Sequence, residues 1–194
     1  MDDNGELTSV FWADAKSILD YAYFGDVLCF DTTFKTNNYH RPLAPFVGVN
    51  HHKQSILFGV ALLFDESIKT FKWLFEIFQN TKSEKLPKTI FTDQCAAMIT
   101  ALKEVWPETT HRLCVWHICK NATTHLSHVF RSQKSFVTDF DNCVYDHEEE
   151  EEFLLAWDAV LDKYNLRENE WLKSLYKEKK SGHWFMSGNY FLHI

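Results

Sequence analysis

The chain has 194 residues, room for one substantial domain or a domain with a helical appendage. Hydrophobic residues make up 45% and charged residues 24%, an ordinary globular balance; no apolar run reaches the ~20 residues of a membrane helix, and the acidic start MDDNGELTSV is no secretory signal. The formal charge of −7 excludes a module that holds nucleic acid by overall basicity, so any DNA contact must rest on a local patch or on parts outside this chain.

In chain order, residues 9–23 place Val10, Phe11, Ala15, Ile18, Leu19 and Ala22 near helical period, which predicts a helix closed by Gly25-Asp26. The short apolar run 27–30 then reads as a buried strand ending at Asp31. Residues 32–41 are polar and read as a loop, closed by Pro42. Residues 43–49 and 55–64 read as two more strands around a turn at 50–53, a meander with connections too short for crossover helices. Phe71, Leu74, Phe75 and Phe78 repeat at i, i+3, i+4, i+7, predicting a helix over 70–79. A fourth strand over 88–92 runs into Asp93, a helix covers 94–106 before Pro107, and a fifth short strand covers 111–116 before another helix. Beyond about residue 127 the pattern is helical, over 130–145, 153–164 and 168–180.

Three strands followed by alternating helices and strands imply an α/β fold with a mixed sheet and flanking helices, in the RNase H-like order. Three segments follow: a helical lead-in over 1–24, the core over 25–126, and a helical insertion over 127–194. The five cysteines, Cys29, Cys95, Cys114, Cys119 and Cys143, are odd in number and scattered, which suits a reducing compartment better than a disulfide framework.

Asp31 and Asp93 each close a strand, and this strand order makes the two strands neighbours, so both carboxylates come to one end of the sheet. A carboxylate pair there can hold Mg²⁺, which takes oxygen ligands and keeps waters that a phosphate displaces. Two such ions serve phosphodiester chemistry, which in most such sites needs a third acid. The competing reading makes the two aspartates turn or N-cap residues.

Cys114 and His117 stand three apart. Zinc would need a second ligand pair, which does not follow at finger spacing, and a catalytic dyad would need an exposed thiol and an orienting group. Cys114 reads instead as a packed, inert cysteine in an apolar strand. The run Glu148 to Glu152 reads as a solvated helix start. Lys173, Lys177, Lys179 and Lys180 form the dense basic cluster, read as surface unless it touches phosphate. Trp157, Trp171, Leu172, Leu175 and Tyr176 read as helix-packing residues, and His183-Trp184-Phe185 as an extended stretch.

The segments FDTTFKTNNYHRPLAPFVGVNHHKQSILFGVALLFDES, TFKWLFEIF and TIFTDQCAAMITALKEVWPETTHRLCVWHI together resemble the Mutator-like element transposase domain, more narrowly that of the plant far-red-impaired-response proteins. The resemblance runs from about Phe11 to Trp184. It implies an RNase H-like fold with a helical insertion whose signature lies at Trp171 to Tyr176. Asp31 and Asp93 match the first two acids of a three-acid catalytic site, and Cys114 and His117 match the family's Cys-x-x-His element. The family's third acid lies in a Ser-Glu-Ser helix beyond Ile194. Glu168, Glu170 and Glu178 do not match it, so the expected domain is C-terminally truncated.

What the resemblance implies about function is a domesticated, nuclear, transposase-derived regulator of transcription in light-controlled development, without catalysis in this chain. Its partners would be DNA and transcription-related proteins, with no membrane and with homo- or heterodimerisation open. No cofactor is expected: Mg²⁺ would enter only with catalysis, and zinc only through family domains outside this chain. The alternative is a fragment of an active transposase that cleaves and joins DNA with Mg²⁺. An RNase H-like sheet lacking its last helix should also expose apolar surface near residues 27–30 or 90–91.

Overall fold

The computed structural model describes residues 8–32, 41–147 and 149–178. Residues 33–40 of the loop expected over 32–41, Glu148, Lys179, Lys180 and the stretch from His183 to Phe185 lie outside them. The chain divides into two compact units, Met1–His111 and Arg112–Ile194.

The sheet has six strands in the order β1-β4-β3-β2-β5-β6, formed by β1 (Val10–Trp12), β2 (Val27–Phe30), β3 (Leu43–Val49), β4 (Ser55–Leu62), β5 (Thr89–Thr92) and β6 (Thr110–Leu113). β2, β3 and β4 form the expected antiparallel meander, and β5 joins β2 in parallel, which makes the sheet mixed. Without β1 the order is that of an RNase H-like sheet.

β1 corrects the reading of residues 9–23 as one helix. Val10, Phe11 and Trp12 pair antiparallel with Leu62, Ala61 and Val60, and the helix α1 (Ala15–Phe24) begins only after Asp14 caps it through the Ser17 amide. Val10 and Phe11 fall on the helical rhythm of the next segment, which hides a strand of three residues. Phe11 faces the core, edge-on to Phe46 and Phe78.

One sheet face, carrying Leu28, Phe30, Ala44, Phe46 and Ile90, packs in a single core with α1, α2 (Ile68–Thr81) and α3 (Ala96–Val105). The aromatic stripe of α2 does most of the filling. Phe46 stacks on Phe78 with ring centroids 4.0 Å apart and lies 4.6 Å from Phe30, while Phe75 packs against Phe30 and Trp106. Large rings fill a core with few side chains, which explains the phenylalanine-rich composition.

β4 carries a bulge: Phe46 pairs with Gly59 but Val47 pairs with Leu57, so Phe58 is the extra residue. A bulge disturbs the ladder locally, and the backbone carbonyl of Phe58 accepts from the Lys82 ammonium at 2.6 Å. Lys82 is only 3% exposed and lies over the Tyr21 and Phe78 rings. Burial pushes its pKa down to about 8. Gly48 lies against the Phe58 ring so closely that a Cβ there would fall 2.2 Å from it.

The expected exposed surface is split by strand alternation. Leu28, Phe30 and Ile90 are covered completely, whereas on the opposite face Val27 is 36% exposed and Cys29 and Phe91 are half-buried.

The second unit is helical, as its pattern predicts: α4 (Val115–His125), α5 (Ser127–Ser132), α6 (Phe136–Tyr145), α7 (Glu150–Lys163) and α8 (Glu170–Glu178). The expected single helix over 130–145 is two, because Gln133 turns extended between them. Phe136 anchors the break, packed edge-on to Phe130 and Tyr164. Trp157, Leu172 and Leu175 are buried, and Trp171 stacks flat on His125. Glu151 and Glu152 lie in the first turn of α7, the end of the helix dipole that favours negative charge.

Candidate functional site

Asp31 follows the last residue of β2 and Asp93 follows the last residue of β5. The parallel register pairs Val27 with Thr89, Leu28 with Ile90 and Cys29 with Phe91. Asp31 and Asp93 each lie two residues beyond the last of these pairs, at the same end of two neighbouring parallel strands. Alternation also gives both aspartates the parity of Cys29 and Phe91, away from the aromatic core.

Each carboxylate also holds its own loop. Asp31 Oδ1 accepts from the Thr32 amide at 2.7 Å, and Asp93 Oδ1 accepts from the Cys95 amide at 3.2 Å, where Cys95 is the N-cap residue of α3. The turn-forming role read from the sequence is therefore filled by both side chains.

Three further residues join this end of the sheet, of which the sequence singles out only His111, as a neighbour of the Cys114 and His117 pair. Thr92, fully buried, donates its hydroxyl to the Asp93 carbonyl at 2.8 Å and meets His111 Nε2 at 2.8 Å. His111, on β6, is 5% exposed. Glu66 lies in the turn between β4 and α2 and accepts a hydrogen bond from the Thr32 hydroxyl. That turn is pinned by Asp65, whose Oδ1 accepts from the Ser67 amide and the Thr70 hydroxyl, while Ser67 caps α2. These bonds hold the Asp65 carboxyl below the usual range, the Thr70 hydroxyl foremost. The Cys95 thiol senses the same neighbourhood: burial raises its pKa, and the charges of Asp93 and Glu66 push the same way. The signal for Glu66 was its Asp-Glu-Ser turn before a helix, but its partner lies 34 residues away.

Two carboxylates with water fit Mg²⁺, a hard cation commonly bound through one or two protein carboxylates and completed by water and phosphate. Among the described residues no group of three or more His, Cys, Asp or Glu side chains is placed to hold a metal ion. Asp31 and Asp93 would supply the protein oxygens, and a bound ion would supply charge to draw in phosphate.

Cys114 and His117 lie in the second unit. The strand expected over 111–116 ends at Leu113, and Cys114 is the N-cap residue of α4, half-buried, with His117 in the first turn. This corrects the reading of Cys114 as an inert strand cysteine. Burial pushes its thiol up, but the His117 side chain and the amides of His117 and Trp116 more than offset that, leaving it below the ordinary cysteine value. Cys119 and Cys143 go the other way through burial, to about 11 and about 12. In the basic cluster, Lys173 is tied to Glu168 and Glu170, and Lys177 is exposed.

The mixed sheet, its strand order and the two strand-end acids define an α/β domain of the RNase H-like class, and the family model of the MULE transposase domain matches residues 27–121. Residues 27–121 thus match a MULE transposase domain, and most of the chain resembles proteins of the FAR-RED IMPAIRED RESPONSE type. It is similar to three proteins of Arabidopsis thaliana: FAR1-RELATED SEQUENCE 5, 45% identical over 92% of this chain; FAR1-RELATED SEQUENCE 4, 40% over 90%; and FAR-RED IMPAIRED RESPONSE 1, 37% over 93%. The matches cover 23%, 24% and 22% of those proteins, so the chain spans about a quarter of the length of these relatives.

Proposed function

We propose that this chain is the transposase-derived core of a nuclear protein of the far-red-impaired-response type, a regulator of transcription in light-controlled development that does not cleave DNA. The observation that carries this reading is the similarity to FAR1-RELATED SEQUENCE 5, 45% identical over 178 residues. In this reading the sheet is a scaffold for DNA and for transcription-related proteins. With a net charge of −7, DNA affinity comes from a local patch or from further parts of the protein. The aspartate pair keeps the capacity to hold Mg²⁺ as an inheritance of the fold.

A second reading, an active transposase core, draws on the parallel pairing of β2 and β5, which brings Asp31 and Asp93 to the same end of the sheet. Incubating the purified chain with supercoiled DNA and Mg²⁺ or Mn²⁺ separates the two. The regulatory reading expects no nicking above that of Asp31→Asn. Cleavage by the wild type that Asp31→Asn abolishes would overturn it.

A further inference from the structure

The hydrogen bonds around the two aspartates follow one plan on both strands. Beside Asp31 stands Thr32, whose amide donates to the Asp31 carboxylate and whose hydroxyl donates to Glu66. Beside Asp93 stands Thr92, whose hydroxyl donates to the Asp93 carbonyl and meets His111. A threonine hydroxyl carries a single proton. Thr92 can give it to the Asp93 carbonyl while the His111 ring donates from Nε2, the roles across that contact being set by the ring tautomer. Each threonine is thus tied to the backbone or side chain of one aspartate and braced from another element, by the turn before α2 or by β6.

We infer that Glu66 and His111 are positioning residues for the aspartate pair, fixing Asp31 through Thr32 and Asp93 through Thr92. The inference rests on the reading of Asp31 and Asp93 as a divalent-cation site. Outer residues that orient ligands typically govern metal affinity by 10–100-fold, because a carboxylate free to rotate loses its preset aim at the ion. Glu66 acts here by accepting a hydrogen bond. An amide oxygen can do the same, so Glu66→Gln preserves the brace and Glu66→Ala removes it. Thr92→Val keeps the side-chain shape and removes both hydroxyl contacts, and it serves where a His111 variant fails to fold.

Two measurements on the full chain test this. Amide hydrogen exchange reads the bracing without an ion: exchange at Thr32 should quicken in Glu66→Ala, and exchange at Cys95 should quicken in Thr92→Val and His111→Ala, with Glu66→Gln like wild type. Mn²⁺ titration reads the consequence: Glu66→Ala and Thr92→Val should weaken binding about tenfold, Glu66→Gln should stay within about twofold, and Asp31→Asn should abolish it. Unchanged exchange at both amides, or Mn²⁺ affinity unchanged in Glu66→Ala and Thr92→Val but lost in Asp31→Asn, overturns the inference. Glu66→Gln binding as weakly as Glu66→Ala overturns it too, since charge and not bracing would then matter. Exchange altered as expected but Mn²⁺ binding indifferent to Asp31→Asn would instead overturn the cation-site reading.

Discussion

Lys82 makes stability depend on pH in a direction opposite to that of most surface lysines. Its ammonium lies over the Tyr21 and Phe78 rings, 3% exposed, with the Phe58 carbonyl as acceptor and, among the described residues, Asp14 and Asp20 as favourable charges. Burial lowers the pKa from the ordinary 10.5 to about 8. Between those values the unfolded chain carries the proton and the folded chain does not, so stability rises with pH across that window and is lost as pH falls through about 8. At about 1.36 kcal/mol per tenfold change in proton affinity, the full swing is roughly 3 kcal/mol. Cys119 and Cys143, raised by burial, and Tyr21, raised likewise, pull stability down at the alkaline end. They are present in wild type and in Lys82→Met alike, so the difference between the two proteins isolates the lysine. Urea unfolding at several pH values should show wild type gaining on Lys82→Met by roughly 3 kcal/mol from neutral pH to about pH 10.5. A difference that stays flat or falls with pH refutes the assignment of a desolvated, proton-shedding lysine at the bulge.

Phe46→Ala should cost about 3–5 kcal/mol in urea unfolding, because the ring is fully buried between Phe30 and Phe78 and its removal leaves a cavity among rigid aromatics. Gly48→Ala should lower the melting temperature by an amount corresponding to about 1–3 kcal/mol, since the new Cβ would overlap the Phe58 ring; a wild-type melting curve would show that the bulge yields more easily than its packing implies. Iodoacetamide at about pH 7.5 should label Cys114 ahead of Cys119 and Cys143, as thiolate fraction sets the rate. Peptide mass spectrometry reads the order, and His117→Gln should slow Cys114 toward the others.

Continuous apolar runs ending in a charge made β2 and β5 legible in the sequence, and with them the placement of Asp31 and Asp93 at one end of the sheet. The aromatic stripe of α2 was equally plain, because Phe71, Leu74, Phe75 and Phe78 share one face and are all buried. What escaped was short or long-range. β1 is three residues long and borrows its stability from the ladder to β4. The break between α5 and α6 is made by Phe136 packing between Phe130 and Tyr164, with Tyr164 28 positions further along, so no local pattern announces it. Cys114 looked like a strand residue because Leu113 and Val115 flank it, yet the chain turns into α4 there. Glu66 and His111 gain their meaning only from Thr32 and Thr92, which tertiary structure brings to them.

The loop-holding role of Asp31 and Asp93 does not exclude the proposed role of metal ligand, and it decides how the site must be probed. A carboxylate that accepts a backbone amide has its rotamer set by the loop, which is what a preset ligand would need. The same bond means that Asp93→Ala removes the acceptor of the Cys95 amide at the start of α3 together with the charge. An Asn side-chain oxygen can accept the same amide two residues on, so Asp93→Asn keeps the acceptor and removes only the charge. A loss of ion binding or DNA cleavage in the alanine variant therefore reports on loop and ligand together, and only the asparagine variants of Asp31 and Asp93 separate an inherited fold device from a working metal site.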